Sequence, residues 1–502
     1  MDTLDSYDEL PYESLPIAET QPDFLAAIAR LHGFEAPDPS RARILEIGCA
    51  EGGNLIPLAW RWPHAECVGV ELSREQAAAG NRFIAALGLT NVTIVHADLA
   101  ALPAGLGEFD YIIAHGVYSW VPPAVQDALL RVCRTHLSPH GIAYLSFNVE
   151  AGWKRLLGLR ETLLAQTDAG LAAPARCAAA QRVLDTLAGA ASGSEFEDEI
   201  AFLRKASPSY FFHEYLDAWN SPLCFQAFAR RLDDHALRYV GEASPRHVVA
   251  ALEDSWGLAP EGMLPRWLDA EAALDDAHAV RFRRALLARD DAPCAQPIRS
   301  DVLDTLAFYA DLGSDEEIDL EQSNPQWFHT PAGVRIPVAE PLMKAAVMTL
   351  AEAYPAALPY DVLIDSARAL LSAYGVSGAA ADEPAFRDAL FARVIAHGVM
   401  PTVIAGGQTA PPPELPRAHA LARRQAADPA WAVTGRRHLA LDLDAAARYL
   451  LGLLDGTRSR ATLAQLMQSV LADLGVARSL AEVEQLTDQQ LWTFARQGLL
   501  EA

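Results

Sequence analysis

The chain is poor in cysteine, short of basic residues and without a long apolar run. Only six of its 502 residues are cysteine: Cys49, Cys67, Cys133, Cys177, Cys224 and Cys294. None stand at the spacing of a metal or dithiol motif, so neither a disulfide scaffold nor a zinc site is expected. Reduced thiols fit a cytoplasmic setting. Lys and Arg total 40 against 65 Asp and Glu, a net charge of −25. That balance excludes nucleic acid as an expected partner, because phosphate contacts need clustered cations. It suits a basic protein partner, or solubility alone. No apolar stretch reaches the ~18 residues of a membrane span, so membrane insertion is not expected. Met1-Asp2-Thr3-Leu4-Asp5 lacks the apolar core of a signal peptide. A Gly-x-Gly-x-x-Gly dinucleotide fingerprint is also missing.

What stands in its place is Ile44-Leu45-Glu46-Ile47-Gly48-Cys49-Ala50-Glu51-Gly52-Gly53-Asn54. An apolar run stops at glycine, a turn of small residues follows, and Leu55-Ile56-Pro57-Leu58-Ala59 opens a helical pattern. Strand, tight loop and helix let a ligand approach the backbone and face the helix N-terminus. Ala50 occupies the place where a dinucleotide site wants a second glycine for the pyrophosphate. Glu71 ends the next apolar run, Cys67–Glu71, at the ~20-residue offset from which an acid reaches a ribose hydroxyl. Asp98 ends a third run, Val92–Asp98. Three acids at three successive strand ends read as a nucleoside pocket without a pyrophosphate.

Further strands are expected at Phe109–Ala114, Gly141–Phe147, Leu237–Gly241 and Arg284–Arg289, with helices between them. The alternation of the first five strands with helices implies an α/β fold, a parallel sheet with right-handed crossovers, and the last two close it as a Rossmann-like sheet of seven strands. An Ala/Leu-rich helical insert, about residues 154–210, interrupts it. Ahead of the core, Thr20 is expected to cap a helix that has Pro22 in its first turn. Pro-rich linkers suggest a core over 1–294, a middle or regulatory domain over 295–415 and a helical or winged-helix-like domain over 416–502. Leu441 to Asp455 and Thr462 to Leu474 are its clear amphipathic segments. No dense basic helix accompanies them, so protein contact or subunit packing is expected there rather than DNA binding.

The Glu46–Gly52 stretch with Glu71 and Asp98 resembles the class I S-adenosylmethionine-dependent methyltransferases. The resemblance implies S-adenosylmethionine as cofactor and S-adenosylhomocysteine as product. Glu46, Gly48, Cys49, Ala50, Gly52 and Asn54 would line the methionine end, Glu71 and Leu72 the ribose, Asp98 and Leu99 the adenine. His115 and Gly116, after the fourth strand, complete the set. Tyr7 to Pro16, His115 to Pro122, Phe212-His213-Glu214-Tyr215-Leu216, Tyr239 to Ala243, Leu421 to Gln425 and Leu453 to Arg458 extend the likeness over nearly the whole chain. They resemble bacterial methyltransferases with a methyltransferase regulatory domain, among them rickettsial-type protein lysine methyltransferases that modify outer-membrane proteins. A protein or peptide substrate and a homodimer through the helical insert are implied. Two departures stand out. Glu71 replaces an expected Asp, and Phe147-Asn148-Val149-Glu150-Ala151-Gly152-Trp153 replaces a Tyr-Asn-x-x-Pro-Gly-Trp.

Methyl transfer from a sulfonium is an in-line displacement that needs a neutral nucleophile about 3 Å from the methyl carbon. No lone catalytic base is required. Tyr118, Trp120 and Asn148 are the acceptor-side candidates, with Tyr7 and Tyr12 as a lid. Tyr118 and Trp120 also read as packing beneath a loop, and the two N-terminal tyrosines as a stiff strap. His115 reads equally as a core histidine. His213-Glu214 has no second histidine at i+4, so a helix-start capping role is expected there rather than metal binding. A small-molecule or peptide N- or O-methyltransferase, and a non-catalytic binding protein on the same scaffold, are the alternatives.

Overall fold

The computed structural model describes residues 9–103, 105–190, 196–243, 264–292, 298–331, 333–376, 383–396, 398–407, 410–473 and 475–501. Tyr7 and Cys294 lie outside them. The chain divides into two compact units. One comprises Met1–Ser14, Ser40–Ile56 and His64–Pro293, the other Leu15–Pro39, Pro57–Pro63 and Cys294–Ala502. Among the described residues no helix is long and apolar enough to cross a membrane.

The first unit is built on seven strands: β1 Arg43–Ile47, β2 Glu66–Glu71, β3 Val92–His96, β4 Phe109–Ala114, β5 Leu137–Asn148, β6 Leu237–Glu242 and β7 Phe282–Arg289. Their order is β3-β2-β1-β4-β5-β7-β6. β1 to β5 pair in parallel. β7 is antiparallel to both β5 and β6, which makes the sheet mixed. The chain forms the edge strand β6 first and then turns back to fill the gap. Residue periodicity carries no strand direction, so the reversal was not visible beforehand. Fully buried Ile112, Leu145 and Phe147 pack with Leu129 and Leu130 of the Pro123–His136 helix and Phe228 of the Phe225–Asp234 helix.

The insert is helical, with helices at Leu157–Ala165, Ala173–Ala190, Glu197–Leu203 and Pro208–Tyr215. It has its own core of Leu159, Leu163, Leu184, Phe211 and Tyr215, which also holds Trp120 and Trp153. His213 sits in the last turn of the Pro208–Tyr215 helix, not at a helix start, and Ser207 caps that helix instead.

In the second unit, the helix Pro22–Leu31 has Gln21 at its N-cap, and the Thr20 hydroxyl donates to Ile17 O at 2.8 Å rather than capping. Pro22 does occupy the first turn, where its missing N–H costs nothing. Asp23 accepts from Arg61 Nη2 at 2.7 Å and from the Thr402 hydroxyl at 2.8 Å. The middle of the chain forms a three-stranded sheet, β8 Ala307–Tyr309 flanked by β11 Leu358–Pro359 and β12 Met400–Thr402, and a hairpin of β9 Gln326–His329 and β10 Arg335–Val338. Helices Ala445–Leu453, Arg460–Asp473 and Leu480–Arg496 close on a core of Leu450, Leu451, Leu463 and Phe494.

Candidate active site at the switch point of the sheet

From β1 the chain moves to β2 on one side, and from β3 it returns to β4 on the other. The crevice at the carboxyl ends of β1 and β4 is therefore the topological switch point, where open α/β sheets bind ligands. The loop after β1 is pinned there by its own backbone. Gly48 N–H donates to Val70 O at 2.8 Å and Gly52 N–H to Cys49 O at 2.8 Å. Gly48 and Gly52 have φ of +67° and +85°, and a Cβ on Gly48 would lie 2.7 Å from Val117 Cγ2 across the crevice. Glycine is required on both counts. Ala50 shares the left-handed region at φ +49°.

Glu46, one residue before the end of β1, is 4 % exposed. Its Oε1 accepts from Asn54 Nδ2 at 2.9 Å. Its Oε2 is buried and unpartnered among the described residues. Burial, opposed by the Asn54 hydrogen bond and aided by the Glu71 charge, pushes the Glu46 carboxyl up to about 8. A buried acceptor without a donor costs ~1–3 kcal/mol, and the α-ammonium of an amino acid is the donor this one fits. Cys49 is buried beside it, its thiol raised by burial and by the charges of Glu46 and Glu71, so it is an unreactive wall.

Glu71 closes β2. Its Oε2 accepts from Ala50 N–H and its Oε1 from Ser73 N–H, both at 2.8 Å. The side chain that would take a ribose diol thus also fixes the glycine loop. Leu72 next to it is 46 % exposed, an apolar surface at the rim. β3 ends two residues before Asp98, which is exposed, and Asp98 Oδ1 accepts from Ala100 N–H at 2.8 Å. Leu99 is half-buried.

After β4, His115 Nδ1 lies 2.9 Å from Tyr144 Oη. Burial and the Arg284 guanidinium push this histidine down to about 3, so the ring is neutral. Gly116 N–H donates to Ser146 Oγ at 2.8 Å. Tyr118 is fully buried, its ring edge-on to Phe147 and Phe228. Trp120 packs edge-on to Trp153 in the insert core. Both aromatics are therefore packed in hydrophobic cores, Tyr118 in that of the sheet and Trp120 in that of the insert. Asn148 ends β5, buried, with its N–H on Ser119 Oγ at 2.8 Å and its Nδ2 on Asn220 Oδ1 at 3.1 Å.

The N-terminal strap ties the insert to the glycine loop. His213 Nε2 meets Leu10 O at 2.7 Å, Ser209 Oγ donates to Pro11 O at 2.7 Å, and Gly53 N–H donates to Ser14 Oγ at 2.8 Å. Between these anchors the Tyr12 ring lies 5.7 Å from His213. Sequence reasoning missed Ser14, Tyr144, Ser146 and Asn220, each of which acts only through a distant partner. It also left unassigned the Glu199, Tyr210, Glu214 and Tyr215 cluster. There Tyr215 Oη donates to Glu199, and burial with the Glu199 charge raises Glu214 to about 8.

A mixed seven-stranded sheet with a glycine loop and acids at its switch point defines the class I methyltransferase fold. A methyltransferase domain model matches residues 44–141, a predicted methyltransferase regulatory domain matches 207–289, and a C-terminal winged helix domain of the PKMT type matches 414–493. The regulatory match thus falls on the segment that supplies β6 and β7, not on the expected 295–415. An uncharacterized protein of Rickettsia prowazekii (strain Madrid E) is 32% identical over 367 residues, 69% of this chain, and this chain spans 65% of that relative's length. A second one from the same organism is 32% identical over 45% of this chain and 93% of its own length. The fold matches PKMT2 from Rickettsia typhi in complex with AdoHcy with a TM-score of 0.81 at 23% identity, over 98% of this chain and 100% of that one. The chain belongs to the rickettsial-type class I S-adenosylmethionine-dependent methyltransferases.

Proposed function

We propose that the protein methylates the side-chain nitrogen of lysine in a protein substrate. The observation that carries this reading is the Asn148 amide at the end of β5, buried beside the switch point with its Nδ2 already engaged. Its Oδ1 accepts no hydrogen bond among the described residues and suits an amine donor. The PKMT designation of the winged-helix match and of the R. typhi structure agrees with the lysine methyltransferase resemblance. The net charge of −25 favours a lysine-rich partner.

Glu46 would hold the α-ammonium of S-adenosylmethionine, Glu71 the ribose hydroxyls, and Asp98 would face the adenine amino group. The bound cofactor supplies a methyl group on a positively charged sulfur. The lysine must arrive neutral, and the dry surroundings of Asn148 favour loss of its proton. Its lone pair then forms the N–C bond as the S–C bond breaks, and the nitrogen sheds a proton. Proximity and orientation carry the rate.

The test is transfer of label from methyl-labelled S-adenosylmethionine to recombinant outer-membrane protein fragments. Incorporation into lysine, lost when the lysines are first acetylated chemically, is expected. Undiminished incorporation after that blocking, or label only in small-molecule acceptors, would contradict the lysine reading.

A further inference from the structure

Asn220 lies in the loop after the Pro208–Tyr215 helix, 72 residues from Asn148 and within the segment matched as a regulatory domain. The loop is tied to the strand ends on both sides of it. Ser221 N–H donates to Ser119 O at 2.8 Å, and Leu223 N–H to Asn148 O at 3.0 Å. Leu223 also bridges Val149 in parallel. Asn220 Oδ1 accepts from Asn148 Nδ2 at 3.1 Å. Asn220 Nδ2 is left buried without a partner among the described residues, which a residue serving stability alone would not favour.

A neutral amine has one lone pair, needed for the new bond, and two N–H groups to donate. Its partner must be an acceptor, because a donor would tie up the lone pair. A freely turning asparagine amide presents its NH2 as readily as its oxygen. We infer that Asn220 is a positioning residue for methyl transfer: it holds the Asn148 amide with Oδ1 toward the acceptor nitrogen. The segment matched as regulatory therefore contributes directly to the active site. The inference rests on the reading of Asn148 as the amine's acceptor.

Kinetics with the outer-membrane fragments and crystal structures with S-adenosylhomocysteine test it on Asn148→Ala, Asn220→Ala and Asn220→Asp. Asn220→Ala should lower kcat about 100-fold, the usual scale for a misplaced reacting group, with cofactor affinity unchanged and the Asn148 amide turned or disordered in the crystal. Asn220→Asp keeps the acceptor and should restore most of kcat and the amide's orientation. A fixed Asn148 amide in Asn220→Ala, or an aspartate as impaired as the alanine, would overturn the inference. Wild-type kcat in Asn148→Ala would instead remove the reading beneath it.

Discussion

Glu46 combines two properties that a structural carboxylate rarely has: burial and an oxygen without a donor. In the folded, cofactor-free protein it keeps its proton to about pH 8, against an ordinary value of 4.5. Folding therefore takes up a proton between these values, and the stability this group contributes falls as pH rises through that window. Pairing with an ammonium reverses the preference. Cofactor binding below pH 8 should release close to one proton, read as a dependence of the calorimetric enthalpy on buffer ionisation enthalpy, and affinity should rise with pH up to about 8. Glu46→Gln should abolish the proton release. Glu71 makes a different prediction, since both its oxygens hold backbone N–H groups. Glu71→Gln turns an NH2 toward one of those donors, so it should lower the melting temperature of the free protein as well as weaken S-adenosylmethionine at least 10-fold. Isosteric replacement at a mere ligand contact would leave the melting temperature alone.

The elements were legible where one segment carries its own signal. The glycine loop, the acid at the end of β2 and the starts of the strands follow from local pattern. The roles of Tyr118 and Trp120 did not, because an aromatic beside proline has the same sequence signature in a core as in a pocket. In the fold Tyr118 is buried against Phe147 and Phe228, a contact made by residues distant in sequence. Asn220 gave no signal, since its partner lies 72 residues away. Two tests belong here. A Cβ on Gly53 would sit 2.0 Å from Ser14 O, so Gly53→Ala should release the strap, seen as protease cleavage near residues 9–14, and weaken cofactor binding. Phe228 is fully buried and stacks on Phe147 at 4.2 Å, so Phe228→Ala should cost about 3–5 kcal/mol in denaturant unfolding.

At the scale of the whole chain, the family likeness was readable because its motifs recur from the strap to the C-terminal helices. The placement of the regulatory segment was not. Linker composition points to a boundary at 295, before which β6 and β7 complete the sheet, but no linker sets off the matched segment 207–289 from the strands ahead of it. The claim on which the rest depends is that the β1–β4 switch point holds S-adenosylmethionine through Glu46 and Glu71. Calorimetric titration of S-adenosylhomocysteine into wild type and Glu71→Ala tests it most directly. The account predicts one site per chain in wild type and no measurable binding in the variant. Wild-type affinity in Glu71→Ala, or no binding by a folded wild type, would contradict it.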